Sequence, residues 1–317
     1  MAGQKPIVVV GSINIDLVAV TGRIPVVGET VIGTDFQIHP GGKGANQAVA
    51  IAKLGYPVRL IGCLGNDVFG AQLRSNLLGG GVDISGVSTC EGTSGVAFIV
   101  VSEMGENSIV VTPGANAKVT PQELAANIEI IRRAGIVLTQ LEIPLETVQY
   151  LAEFCAREDV PLILDPAPAR DLPLNIFKRI AWFTPNETEA AFFTGRKSNN
   201  GDPVAPVEVA KMLLGKGNRG VVLKMGSHGA YIATQEGLGV QVTAVPVRAI
   251  DTTAAGDAFN GGFATGLMLG KSPLESARFA VAVAAISVTR TGAQPSMPTM
   301  AEVEEFMKNK ATRSICI

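Results

Sequence analysis

The sequence predicts an α/β fold, a doubly wound, mostly parallel central sheet with helices on both faces, plus a small β-sheet lid. Three observations carry that expectation. Short β-branched apolar runs recur along the chain, each too short for a helix, and outside two segments they alternate with stretches of helical spacing. Two segments, 13–39 and 94–112, interrupt the alternation with short strand-like pieces separated by Gly and Pro. Polar residues distant in sequence fall at the ends of the predicted strands, where a doubly wound sheet gathers its ligands. A chain of 317 residues can bury one large core with a smaller appendage, so the expected organisation is one domain over 1–317 with the lid inserted in it.

PIVVVG (6–11) reads as a buried first strand, short, β-branched and ended by Gly. DLVAV (16–20) and ETVIGTDF (29–36) predict lid strands, as do the two runs flanking Gly105-Glu106-Asn107 in SGVAFIVVSEMGENSIVVT (94–112). Together they predict one small antiparallel sheet. HPGGKGANQAVAIAKLG (39–55) is a Gly-rich turn that runs into an Ala-rich helix closed by Gly55. VRLIG (58–62), AGIVLTQ (134–140), VPLILD (160–165), AWFTPN (181–186) and GVVLKMG (220–226) predict strands of the large sheet. PQELAANIEIIRRA (121–134) and PLETVQYLAEFCARE (144–158) predict helices between them.

GKGNRG (215–220) fits a bare dinucleotide-binding pattern but precedes a strand, so it reads as a helix-to-strand turn. GLMLGKS (266–272) is one residue short of a phosphate-binding loop and reads as a helix end capped at Gly270.

Composition narrows the chemistry. The net charge is −2 with no basic run, which argues against nucleic-acid and membrane-surface partners. The two histidines, His39 and His228, have no partner at metal-ligand spacing, which lowers zinc hydrolysis and Ser/His/Asp catalysis. Cys63, Cys90, Cys155 and Cys316 are widely separated, as expected of reduced thiols. The N-terminal apolar run is too short for a signal peptide and no stretch approaches a membrane span, so a cytoplasmic protein is expected.

The most informative segment is DTTAAGDAFNGGF (251–263), which sets Asp257 just inside an apparent helix start. The small residues Ala254, Ala255 and Gly256 leave their N–H groups open to an anion at the positive end of the helix dipole. A carboxylate beside that hole can take a proton from a nucleophile, which is the minimum equipment for phosphoryl transfer to an alcohol. An ordinary first-turn Asp in a capped helix explains the same residues.

GSINIDL (11–17), GGKGANQAVA (41–50), PNETE (185–189), DTTAAGD (251–257) and GAQPS (292–296) occur in that order. The combination resembles the ribokinase branch of the phosphofructokinase-B-like carbohydrate kinases, from about residue 6 to about residue 300. The resemblance implies ATP-dependent phosphorylation of D-ribose at O5, with Asp257 as base and the N–H groups of Ala254, Ala255 and Gly256 as the anion hole. Relatives often carry Gly where this chain has Ala254.

For the sugar the resemblance implies Asn14, Asp16, Gly42, Lys43, Gly44, Ala45, Asn46, Glu142 and Asp257. An Asx turn at Asn14 and Asp16, or a salt bridge at Glu142, are the plainer readings. For ATP it implies Asn186, Lys224, Met225, Gly226, Ser227, His228, Gly229, Gly256, Asp257 and Val281, the last equally readable as core. Glu189 is implied to organise Mg²⁺ through water. Asp251, Thr253, Ser287, Arg290, Gly292 and Ser296 are implied to hold K⁺, although two packed loops would look the same in sequence.

The resemblance also implies a homodimer joined through the lid sheets. Rival readings are a deoxyribose, fructose or adenosine kinase, a silent sugar- or nucleotide-binding regulator, or a dehydrogenase. A nucleoside site would call for aromatic surface, and the chain has one Trp and three Tyr.

Overall fold

The first strand, β1 (Ile7–Val10), carries Ile7 and Val9 into one hydrophobic core and Val8 and Val10 into another. A period of two inside a continuous apolar run is what a strand covered on both faces requires. The computed structural model describes residues 4–196 and 205–313; Cys316 lies outside them.

The remaining strands are β2 (Asn14–Thr21), β3 (Gly33–Gly41), β4 (Val58–Gly65), β5 (Asp83–Cys90), β6 (Gly95–Ser102), β7 (Asn107–Thr112) and β8 (Ile136–Thr139). They are followed by β9 (Leu162–Leu164), β10 (Trp182–Phe183), β11 (Gly220–Lys224), β12 (Ala230–Thr234) and β13 (Gly239–Val242). Nine of them form one sheet in the order β13-β12-β11-β10-β9-β8-β1-β4-β5. It is parallel from β11 to β5, and β12 alone runs in the opposite direction, pairing antiparallel with both β11 and β13.

Helices Lys43–Lys53, Ala255–Met268 and Pro273–Ser287 bury their apolar faces on one side of this sheet. Helices Leu145–Arg157, Glu187–Thr194 and Pro206–Leu214 cover the other. From β1 the chain goes first to β4 on one side and later to β8 on the other. The topological switch point, where doubly wound sheets bind ligands, therefore lies at the carboxyl ends of β1 and β8.

The other four strands form a separate sheet in the order β3-β2-β6-β7. This sheet is mixed, not antiparallel throughout as the sequence suggested: β2 and β6 run parallel from Asn14↔Gly95 to Thr21↔Ser102. The chain passes through β4 and β5 of the large sheet between them, and such a crossover lets β6 return in the direction of β2. Local hairpins supply the antiparallel partners, with the tip between β6 and β7 turning at Gly105, φ +80°. Residues 29–32 stay outside the strands, and β3 extends to Gly41.

The helix expected over 121–134 is two short ones, Pro121–Ala126 and Ile128–Arg132. The break is at Asn127, whose side chain donates to the Glu123 carbonyl, a local bond of the kind that competes with helix continuation. GKGNRG is a turn between helix Pro206–Leu214 and β11, and Gly270, φ +78°, follows the end of helix Ala255–Met268. Among the described residues no helix is long and apolar enough to cross a membrane.

Candidate active site

At the switch point the chain leaves β1 through Gly11, and helix Lys43–Lys53, which follows β3, starts beside that strand end. A Cβ on Gly44 would lie 2.6 Å from the Gly11 carbonyl carbon, so only glycine lets this helix start so close to the strand end. The first turn is tied down from both sides. Ser12 Oγ donates to Glu142 Oε2 at 2.5 Å, the Lys43 N–H donates to the same oxygen at 3.3 Å, and the Ala45 N–H donates to the Ser12 carbonyl at 2.9 Å. Glu142 thus joins the ends of β1 and β8. Ala45 is wholly buried with its N–H occupied, so it supports the turn from beneath.

Asp257 is the third residue of helix Ala255–Met268 and is 4% exposed. Its Oδ2 accepts from Asn46 Nδ2 and its Oδ1 from Gln47 Nε2, both at 3.0 Å. Burial pushes its carboxyl up to about 6, and Asp165 adds to the rise against the pull of Lys43 and the two amide donors. Burial works against the Lys43 ammonium, but Asp257, Asp165, Glu142 and Glu189 outweigh it and hold the lysine above its ordinary range. Asp16, on β2 of the small sheet, is pushed up to about 7 by burial and by Glu142 and Asp257, with Lys43 opposing. The small sheet and the large one therefore contribute carboxylates to a single electrostatic cluster. Asn14 beside it is fixed by Asn116, whose Nδ2 donates to Asn14 Oδ1 at 2.7 Å.

The helix start differs in one respect from the sequence expectation. Ala255 does not offer a free N–H; it donates to the Thr252 carbonyl at 3.2 Å. Ala254 sits at φ +57°, ψ 16°, a left-handed conformation that costs a non-glycine residue about 1 kcal/mol. That turn lets the chain enter the helix with the Gly256 and Asp257 N–H groups lacking a hydrogen-bond partner among the described residues.

Asn186 caps helix Glu187–Thr194 in a capping box with Glu189: Asn186 Oδ1 accepts from the Glu189 N–H at 2.8 Å, and Glu189 Oε2 accepts from the Asn186 N–H at 2.8 Å. Glu189 is buried, and burial with the nearby Asp165 raises its carboxyl while Lys224 opposes. Lys224 ends β11 and donates to Asp165 Oδ1 at 2.8 Å. Met225 to Gly229 form the turn that follows, stabilised by the Met225 N–H on the Gly229 carbonyl at 2.8 Å. Val281 belongs to the core and also lines a cavity of about 380 Å³ with Val242, Val245, Ala282, Phe306 and the polar Thr243 and Arg278.

The two loops expected to hold a cation do meet. Asp251 Oδ1 accepts from the Thr253 N–H at 2.9 Å and Oδ2 from the Gly292 N–H at 2.8 Å, bonds that lower its carboxyl despite partial burial. Ser287 gives its carbonyl to the Arg290 N–H at 3.1 Å, and the Ser296 hydroxyl donates to the Ala293 carbonyl at 2.7 Å. The Arg290 guanidinium turns away to Glu302.

Residues 4–300 match the pfkB family of carbohydrate kinases. The chain belongs to that family. It is 42% identical over 305 residues to the ribokinase of Bacillus subtilis, covering 96% of this chain and 100% of that one. It is 36% identical to a deoxyribokinase of Salmonella typhi, over 95% of this chain and 98% of the relative. The structure of Arabidopsis thaliana ribokinase complexed with ribose and ATP matches at a TM-score of 0.89 and 36% identity, covering 96% of this chain and 99% of that one.

Within this pfkB-family fold six polar residues of the site escaped the sequence reading: Ser12, Gln47, Asn116, Gln140, Asp165 and Gln294. Gln140 Nε2 donates to Gln47 Oε1 at 2.7 Å, and Gln294 Nε2 to Asn46 Oδ1 at 3.2 Å, so both amides that hold Asp257 are themselves held. Asp165 was the one most open to discovery, since it closes the VPLILD strand on the edge where the other site residues end.

Proposed function

We propose that the protein transfers the γ-phosphoryl group of ATP to O5 of D-ribose, giving D-ribose 5-phosphate. The observation that carries this reading is the buried Asp257 carboxylate at a helix N-terminus with free N–H donors, facing a polar cluster drawn from both sheets. Asn14, Asp16, Gly42, Lys43, Gly44, Asn46 and Glu142 orient the sugar, and Asp257 aligns O5 and accepts its proton. The O5–P bond forms as the bond to the ADP oxygen breaks, and the Gly256 and Asp257 N–H groups take up charge on the transferring oxygens, with Ala254 setting their direction. In this reading the purine lies in the cavity beside Val281, with Asn186, Lys224, Met225, Gly226, Ser227, His228 and Gly229 on the phosphate side. The small sheet acts as a lid over the sugar.

Both oxygens of Glu189 already accept hydrogen bonds from Asn186, so the residue suits Mg²⁺ held through water and not direct ligation. The ion, when bound, neutralises charge between the β- and γ-phosphates. Asp251 and the carbonyl-rich loops at Thr253, Ser287, Arg290, Gly292 and Ser296 suit a large, weakly hydrated cation such as K⁺. Turnover is expected to rise when KCl replaces NaCl at constant ionic strength, with Asp251→Ala abolishing the difference. Equal wild-type rates in the two salts would remove the cation from the reading.

A homodimer through the lids is supported by an exposed apolar row across the small sheet, Ile38, Phe98 and Val110, around Leu17. A cytoplasmic setting is supported by the free thiols Cys63, Cys90 and Cys155.

The test of substrate is ADP release across a panel of sugars. Ribose is expected to exceed 2-deoxyribose in kcat/KM by about tenfold, because Asp16 in a closed site loses a hydroxyl partner, a cost of about 1–3 kcal/mol. Equal values would show that the sugar contacts are misassigned, and a preference for 2-deoxyribose would move the protein toward its Salmonella relative.

A further inference from the structure

The buried ion pair between Lys224 and Asp165 has no evident structural purpose. The side chains are 12% and 3% exposed, and taking both charges out of water costs several kcal/mol that apolar residues of similar size would avoid. Its position suggests why it is there. A methyl group built on Gly256 would stand 3.5 Å from Lys224 Nζ, so the ammonium lies against the anion hole. One of its three N–H donors goes to Asp165 Oδ1, and no other partner is found among the described residues.

Asp165 is also tied to the base. Gln47 Nε2 lies 3.0 Å from Asp165 Oδ2 and 3.0 Å from Asp257 Oδ1, so one amide group spans both carboxylates. Gln140 fixes the other end of that amide. The chain base–Gln47–Asp165–Lys224 links the group that receives the sugar's proton to a cation beside the phosphoryl site.

We propose that Lys224 is a catalytic residue acting on the transferring phosphoryl oxygens, and that Asp165 and Gln47 are positioning residues that keep it in register with Asp257. The proposal rests on the phosphotransfer reading but not on which sugar is the acceptor. The two remaining N–H groups of the Lys224 ammonium donate to the phosphoryl group while the O5 proton passes to Asp257 and the electron pair of the breaking bond leaves with ADP. A cation that strengthens its contacts as charge spreads over those oxygens lowers the barrier without tightening sugar binding.

The experiment uses the full chain with ATP, Mg²⁺ and whichever panel sugar the wild type accepts, so rejection of ribose alone overturns the substrate reading and not this one. Lys224→Met is expected to lower kcat about 10²-fold with sugar KM within twofold of wild type, and Lys224→Arg to recover at least a tenth of wild-type turnover. Asp165→Asn is expected to lower kcat about tenfold. The double variant Asp165→Asn/Lys224→Met is expected to be no slower than Lys224→Met, because the two side chains act as one unit. Independently of any sugar, Lys224→Met is expected to bind ADP with aluminium fluoride at least tenfold more weakly while binding ADP normally.

A purely structural ion pair gives a different pattern: Lys224→Met and Lys224→Arg lose activity alike, sugar KM rises and ADP–aluminium fluoride binding tracks ADP binding. That pattern overturns the proposal, as does Lys224→Met turnover within threefold of wild type or full multiplicativity in the double variant. Should Lys224→Met fail to fold, Asp165→Asn and Lys224→Arg decide it through the same kcat-against-KM split.

Discussion

Asp257→Asn is expected to retain ATP and sugar binding and to lose turnover by about 10²- to 10⁴-fold. The amide keeps the shape of the carboxyl between Asn46 and Gln47 but cannot accept the O5 proton. The pH dependence follows from the same residue. Burial raises the Asp257 carboxyl to about 6, so this carboxylate, the proposed base, is ionised above that value and protonated below it. Wild-type kcat/KM should therefore be level in the alkaline range and fall as pH drops through about 6. Asp16, raised to about 7, adds a second proton and steepens the fall. In Asp257→Asn the residual activity should keep only the Asp16 limb, moved to lower pH because the Asp257 charge no longer helps to raise that carboxyl. Near-normal turnover of the purified variant, or an unchanged two-proton limb, would remove Asp257 from the role of base.

The parts of this site that were legible in sequence are those whose signal is local. Val8 and Val10 alternate with Ile7 and Val9 inside one short run, and that run predicts a strand buried on both faces before any partner is known. Asp257 could be found because small residues precede it and a helical apolar pattern follows it. What stayed hidden depends on contacts between distant segments. Nothing near Gln47 announces that its amide spans Asp165, 118 residues on, and Asp257, 210 residues on. In the Ala-rich helix it reads as one polar residue among apolar ones. The parallel pairing of β2 with β6 was hidden for the same reason, since the turns flanking each strand specify only their antiparallel neighbours. Ala254 shows a third kind of failure. Its residue type argues against a left-handed backbone, and the surrounding helix and loop impose one.

Gly42→Ala is expected to damage both stability and sugar binding, and Gly55→Ala separates the causes. Gly42 adopts φ +87°, ψ 129° at the start of helix Lys43–Lys53, a region that side chains rarely enter. A Cβ there would also lie 2.6 Å from the Asn14 nitrogen and 2.9 Å from both the Ile13 Cα and the Ser12 carbonyl oxygen. These are backbone atoms of the link from β1 and of the first residue of β2, so relief requires moving the strand end that carries Asn14 and Asp16. Strain plus overpacking should cost about 3 kcal/mol, and displacement of Lys43 and Asn14 should raise sugar KM at least tenfold. Gly55 closes the other end of the same helix at φ +74° with nothing within 4 Å of a built Cβ. Its alanine variant should lose only about 1–2 kcal/mol to backbone strain and keep the wild-type KM. Denaturant unfolding and sugar titration of the two variants check this. Equal stability losses would show that the clash is absorbed by small shifts, and an unchanged KM in Gly42→Ala would mean that the tight junction between the glycine turn and β2 does not position the sugar.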